Sequence, residues 1–217
     1  MIKVFMVIAM ITLTATTALA QMTEASDNSS DNQNKLFFGV KGGLNMSNVY
    51  DSKGDDFVAD SKYGFAIGGF VTIPLGRQFG IQPEVLFSQK GFKSSGTYLG
   101  NTYSMTRTTN YLDIPLLVAF KPIELVTILF GPQFSYLMKQ TDDFTSGSIT
   151  ATQEQEFTND NIRKNIFCLT GGADLNIDPI VIGARAGWDV QNNNGDGTST
   201  TPRYKNMWYQ LTLGYRF

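Results

Sequence analysis

The side chains from which an enzyme would be built are scarce in this chain. Its 217 residues include no histidine and one cysteine, Cys168. Without histidine there is no Ser-His or Cys-His nucleophile pair, no His-ligated zinc and no imidazole general base. A single cysteine closes no internal disulfide and holds no zinc or iron-sulfur centre. Any catalysis would have to rest on carboxylates, lysines or tyrosines. Glu84 and Asp113 are of the right type for an acid-base pair. Lys41, Arg185 and Arg216 fall on the same polar face of the alternation described below, however, and ion pairing is the simpler use of buried carboxylates opposite cations. The segment Asn192-Asn-Asn-Gly-Asp-Gly197 places Asn192, Asn194, Asp196 and Gly197 at the first, third, fifth and sixth positions of a calcium loop. The twelfth position is Arg203, a cation where a bidentate carboxylate is required, so the segment reads as an Asn/Gly turn. Cys168 has no base to make it a thiolate and reads as a small filler. No metal or cofactor is expected, and 17 basic against 19 acidic residues provide no basic surface for nucleic acid.

The elements that carry these residues begin after an address. Met1-Ile-Lys3 is a short basic start, Val4 to Leu13 is apolar, and Ala18-Leu19-Ala20 fits small-residue cleavage before Gln21. Residues 1–20 therefore read as a signal peptide. The apolar run is short for a membrane anchor, and no cysteine follows the cleavage site to make a lipoprotein. Residues 21–34 are polar, rich in Ser, Asn and Asp, and read as a disordered leader. Residues 35–217 form the remaining domain.

Within that domain the sequence alternates apolar with small or polar residues. Phe38, Val40 and Leu44 oppose Gly39, Lys41, Gly43 and Asn45; Phe65 and Ile67 oppose Gly64, Ala66 and Gly68. Val85 and Phe87 oppose Gln82, Glu84 and Ser88; Ile114, Leu116 and Val118 oppose Tyr111, Asp113 and Ala119. Ile128 and Phe130 oppose Thr127 and Gly131, and Phe167 and Leu175 oppose Cys168 and Asp174. Ile182 and Trp188 oppose Gly183, Arg185 and Asp189, and Leu211, Leu213, Tyr215 and Phe217 oppose Gln210, Thr212, Gly214 and Arg216. Phe70, Leu86, Leu117, Leu129 and Val181 are apolar exceptions on the polar face. The result is about eight strands of about ten residues, as in the smallest transmembrane barrels.

Connections alternate too. Pro74-Leu-Gly-Arg77, Pro122-Ile123 and Asp178-Pro179 are tight turns, whereas Met46–Lys62, Gly91–Asn110, Lys139–Asn165 and Gln191–Asn206 read as long polar loops. In outer-membrane barrels such turns lie in the periplasm and such loops outside the cell. The stretch Thr141 to Asn161, rich in Thr, Ser, Gln and Glu, is a loop suited to binding a partner at the cell surface.

Alternation is equally compatible with a soluble lipocalin-like barrel that encloses its apolar face. Three features favour lipid outside. The polar face is dominated by small residues with charges of both signs, which suits the narrow interior of an eight-stranded barrel. Aromatic residues on the apolar face gather near strand ends: Tyr63, Phe65, Phe87, Tyr136, Trp188 and Tyr209 toward the loops, Phe38, Phe79, Phe120, Tyr215 and Phe217 toward the turns. The chain also ends on an apolar-face aromatic, Phe217. Pro83, Pro115 and Pro132 interrupt three strands, each at the cost of a ladder hydrogen bond, yet parity is the same on both sides and no one-residue bulge is indicated.

The segments Gly39-Val-Lys-Gly-Gly-Leu-Asn45, Gly80-Ile-Gln-Pro-Glu-Val-Leu-Phe-Ser-Gln-Lys-Gly91, Tyr111-Leu-Asp-Ile-Pro-Leu-Leu-Val118, Phe130-Gly-Pro-Gln-Phe-Ser-Tyr136 and Leu213-Gly-Tyr-Arg-Phe217 together carry a family likeness. From Leu36 to Phe217 the chain resembles the PorT-like outer-membrane β-barrels of Bacteroidetes. The resemblance implies an all-β, eight-stranded antiparallel up-and-down transmembrane barrel in the outer membrane, with Phe217 as the signal read by the barrel-assembly machinery. It further implies a link to other envelope or secretion proteins. The expectation is a non-enzymatic barrel acting through its surface loops, with a lumen network of Lys41, Glu84, Asp113, Asp174, Arg185 and Arg216. The alternatives are a small-solute channel of porin-like kind and a soluble periplasmic lipocalin-like ligand binder.

Overall fold

The structure, a computed structural model, describes residues 36–50, 59–98, 101–146, 149–155, 163–193 and 204–217. The expected signal peptide and polar leader, and the greater part of the Asn192–Gly197 segment, lie outside these residues. The described residues contain no helix. They form strands β1 (Phe37–Tyr50), β2 (Ala59–Pro74), β3 (Phe79–Tyr98), β4 (Asn101–Ile123), β5 (Val126–Ser146), β6 (Ile149–Gln155), β7 (Asn165–Ile177), β8 (Ile180–Asp189) and β9 (Lys205–Arg216).

Eight of these close a ring. Each pairs antiparallel with its neighbour in the order β1, β2, β3, β4, β5, β7, β8, β9, and β9 returns to β1 through Val40–Tyr215 and Leu44–Leu211. This is the expected up-and-down eight-stranded barrel. Closure leaves no free edge on the ring, which makes the ladder compatible with hydrocarbon. Parity decides the faces as the alternation requires. Val40, Leu44, Ile67, Val118, Phe130, Leu211 and Leu213 point outward and are exposed, whereas Lys41, Asn45, Glu84, Asp113, Gln210 and Thr212 are buried inside. The apolar exceptions on the inner face are filler: Leu117, Ala119 and Leu129 pack on one another within the barrel.

Two features differ from the sequence expectation. Several strands are about twice the expected length, with 20 residues in β3, 23 in β4 and 21 in β5. The stretches Gly91–Asn110 and Lys139–Asn165 are therefore largely strand rather than loop. In the first, β3 and β4 pair without interruption from Gln89–Asn110 up to Tyr98–Asn101. In the second, β5 leaves β7 after Tyr136–Asn165 and takes up the ninth strand, β6, over Gln140–Gln155 to Ser146–Ile149. Their outward positions are mostly Ser, Thr and Lys, so no apolar alternation marks them, while their Thr and Tyr content suits a strand.

The prolines have a physical account. Pairing of β3 with β4 is interrupted at Glu84–Val85 opposite Ile114–Pro115, and pairing of β4 with β5 at Leu116–Leu117 opposite Gly131–Pro132. Pro115 and Pro132 bring no N–H to these places, and the register resumes unchanged on either side. The irregularities in register fall elsewhere, between Ser61 and Ala66, between Asn110 and Tyr111, and between Phe120 and Ile123 at the β4–β5 turn.

The outward aromatics form two levels. Phe65 stacks on Phe87 at 5.7 Å near the loop rim, and near the turn rim Phe79 meets Phe120 at 5.1 Å and Tyr215 meets Phe217 at 5.3 Å. Between them lies a purely apolar belt. Placing a charge there tests the outward assignment. Val118→Arg should cost about 2–4 kcal/mol in urea unfolding from phospholipid vesicles, whereas Thr106→Arg, beyond the aromatic level, should cost under about 1 kcal/mol. Equal costs would contradict the lipid-facing belt.

Candidate functional site

The inward positions of the eight strands build a column of polar and charged side chains inside the barrel. Nearest the short turns, β1 contributes Lys41, β3 Glu84, β7 Asp174 and β8 Arg185. Lys41 donates to Glu84, and Arg185 grips Asp174 through two hydrogen bonds of 2.6 and 2.9 Å. The same guanidinium lies 3.8 Å from Glu84, so the four groups join two cations to two anions. Gln82 donates to Glu84 at 2.9 Å and accepts from Thr72. Gly183 makes room for this layer, since a Cβ there would stand 2.6 Å from both Asp174 Oδ1 and Thr212 Oγ1.

Above it, Asn45 donates to Ser88 and accepts from Gln210, each at 2.9 Å. A second charged layer follows. Lys90 lies 2.9 Å from Asp113, its ammonium 3.7 Å from the Trp208 ring and 5.0 Å from that of Tyr111. A cation held between a carboxylate and two ring faces is stabilised by both. Trp208 fits because its wall neighbour is Gly187, where a Cβ would meet the indole at 2.2 Å. Ser135 donates to Asp113, and Asp189 accepts from Cys168 at 3.1 Å and from Asn206 at 2.6 Å. Cys168 is thus buried and hydrogen-bonded.

At the loop rim, beyond the aromatic level, Arg107 of β4 makes a two-pronged pair with Asp142 of β5 at 2.7 and 2.8 Å and donates to the Tyr204 hydroxyl at 3.1 Å. Phe92 packs edge-on against Tyr204 at 5.2 Å, which completes a cap over the column. Burial by itself would lower the Arg107 pKa, but Tyr204 and Asp142 outweigh it and raise it above the ordinary arginine value. Arg107 is therefore a cation at any pH the protein meets.

The structure brings four of the six expected lumen charges, Lys41, Glu84, Asp174 and Arg185, into one network. Asp113 belongs to the separate layer of Lys90. Arg216 stands apart at the turn rim, 2.9 Å from the exposed Asp178 and over the Phe37 ring. Glu84 and Asp113, the candidate acid-base pair, each serve a different cation. Lys90, Arg107 and Asp142 were not among the expected lumen charges. Lys90 continues the inward parity of Gln82, Glu84 and Ser88, so the signal for it was present; Arg107 and Asp142 sit in stretches that read as loop. Among the described residues no cluster of His, Cys, Asp and Glu could hold a metal ion.

A family model described as outer membrane protein beta-barrel domain matches residues 20–195. No curated protein shows significant sequence similarity to the chain. Among solved structures, the chain is similar to Ail, the attachment invasion locus protein of Yersinia pestis, at 16% identity over 83% of this chain and 98% of that one, with a TM-score of 0.47. OprG of Pseudomonas aeruginosa gives 12% identity over 88% and 99%, with a TM-score of 0.40. The outer membrane protease OmpT of Escherichia coli gives 11% over 88% and 99%, with a TM-score of 0.39.

The turn-side network is testable as a unit. Glu84→Gln leaves Lys41 without its anion and should destabilise the folded barrel by about 3–5 kcal/mol in urea unfolding. The double variant Lys41→Met, Glu84→Gln should recover part of that loss, because the orphaned cation is gone. Additive losses would show that the two groups do not act as a pair.

Proposed function

Because this chain belongs to the outer membrane protein beta-barrel domain family, and is an outer-membrane β-barrel protein, we propose that it is a non-enzymatic, non-conducting barrel that acts through the structure it presents above the membrane. One observation carries this reading: the column of ion pairs and aromatic rings crosses the interior at two levels and is capped at the loop rim. Lys41 and Glu84 reach across from β1 to β3, Arg185 and Asp174 close the other side, and Lys90 with Trp208 fills the level above. An eight-stranded barrel has an interior just wide enough to be filled by side chains. The same pairing accounts for Glu84, Asp113 and Asp174 without catalysis, since each is committed to a cation, while Asp189 is held by hydrogen bonds from Asn206 and Cys168.

The proposal includes a signal peptide removed after Ala20, short turns in the periplasm and long hairpins outside the cell. It includes Phe217 as the end recognised during assembly. Other envelope or secretion proteins are the partners suggested by the PorT-like resemblance, and the projecting β3–β4 and β5–β6 hairpins are the surfaces they would meet. A porin-like channel would need a lumen free of these ion pairs.

Planar-bilayer recording tests the reading. Purified protein that migrates as a heat-modifiable, folded barrel should show no steady conductance across the physiological pH range. A stable open level in wild-type protein would overturn the plugged interior and support small-solute transport.

A further inference from the structure

The hairpin of β5 and β6 continues the barrel wall above the rim but ends as an open sheet. β6 stands at one end of the strand order, and among the described residues no strand pairs with its second edge. Its pairing with β5 is regular from Gln140–Gln155 to Ser146–Ile149, and the hydroxyl of the exposed Thr152 donates to Asp143 at 2.9 Å. β7, which continues the ring beyond β5, begins only at Asn165, where β5 leaves it at the rim. A free edge carries a row of unpaired N–H and C=O groups, and proteins ordinarily blunt it with lysine, proline or a bulge. The segment Ile149-Thr-Ala-Thr-Gln-Glu-Gln155 has no lysine and no proline, and its register has no bulge. Its threonines favour the extended conformation that such an edge requires.

We propose that the free edge of β6 is a docking site for an extended, basic segment of another protein, added to the sheet as a further strand. Backbone chemistry selects the shape of the occupant. Alternate residues of β6 present N–H and C=O together along the edge, and an extended polypeptide answers them in step. Charge selects its composition. Asp143 on the paired strand, Glu154 in β6, and Glu156 and Asp160 after it are acidic, and no Lys or Arg lies between Lys139 and Arg163. Asp142 is taken up by Arg107. The outward cations of the same sheet, Lys62 and Lys93, lie toward its opposite end on β2 and β3, while Lys139 and Lys164 stand at the foot of the hairpin, with Arg163 next to Lys164. The sheet is thus polarised, with its acidic end at the free edge. A second copy in the same membrane does not fit this edge, because the two-fold axis relating the copies would lie along the membrane normal. Pairing β6 with itself needs an axis perpendicular to the sheet or along the strand, and a sheet standing on the rim with strands tilted about 40° offers neither. This inference rests on the orientation proposed above, with the hairpins outside the cell.

The test uses full-length folded protein in zwitterionic detergent micelles and three peptides matched in length to β6. One alternates Lys with Thr, the second alternates Glu with Thr, and the third is the Lys–Thr peptide methylated on every backbone nitrogen. The first should bind at least about tenfold tighter than either of the others, since the second meets like charge and the third has no N–H to give the ladder. Its binding should slow hydrogen exchange at the β6 amides and leave the barrel amides unchanged. Equal binding of the methylated peptide overturns strand addition, equal binding of the Glu–Thr peptide overturns the basic partner, and no binding of any of them overturns both; none of these comparisons needs a variant to fold. Amides of β6 that are all slow to exchange without peptide show an edge already covered by this chain and overturn the proposal as well. The variant Thr150→Lys, Thr152→Lys, Glu154→Lys blunts the edge and should lose the binding while it remains a heat-modifiable barrel; a folded variant that still binds overturns the assignment to β6. Orientation is read separately, by labelling Thr152→Cys in intact cells with an impermeant maleimide, since the native Cys168 is buried. Absence of labelling refutes the orientation, whereas labelling without discrimination among the peptides refutes the docking alone.

Discussion

A polypeptide surrounded by hydrocarbon must pair every backbone N–H and C=O within itself, and this constraint organises the molecule. The pairing of β9 with β1 satisfies it, because that one junction turns a sheet with two edges into a ring with none. Two consequences follow from closure. The outward face must be apolar, and the inward face must be filled from whatever the alternating positions provide. Even the three prolines obey the rule locally: register is held across each of them, and the pairing is interrupted where a proline has no N–H to give, for Pro83 on the side of β2 opposite Val71–Thr72.

Filling the interior is the more demanding of the two. Charges enclosed in a narrow barrel are costly unless paired, and the structure pairs them in layers rather than in one pool. Near the turns, two cations and two anions neutralise one another. Higher up, Lys90 takes Asp113 and the faces of Trp208 and Tyr111. At the rim Arg107 takes Asp142. Small residues are placed where the partners are large: Gly187 lies beneath the Trp208 indole and Gly183 beside the Asp174 carboxylate. The interior is thus a sequence of complementary sizes and charges from one rim to the other.

The parts of this arrangement that were legible in the sequence were those governed by parity. Strand identity, the side on which each residue lies, the tight turns and the aromatic levels follow from a two-residue period that any local stretch displays. The hairpin extensions were not legible for the same reason. Once the outward face no longer contacts hydrocarbon it turns polar, and a strand such as Met105 to Asn110 carries no apolar alternation to reveal it. Arg107 and Asp142 were hidden there, although they form one of the best-aligned ion pairs in the protein.

The sequence by itself therefore determined an alternating, eight-stranded ring with apolar residues outward and small and charged residues inward, because side-chain direction depends only on position along a strand. Only the tertiary structure decided which charge meets which. Lys41 finds Glu84 two strands away, and Arg185 chooses Asp174 on its neighbour. Asp113 joins Lys90 rather than the lower layer, and Arg216 falls at the rim beside Asp178. These choices depend on the height of each residue around the ring, which is set by the register of every pair of strands between them. No local pattern contains that sum.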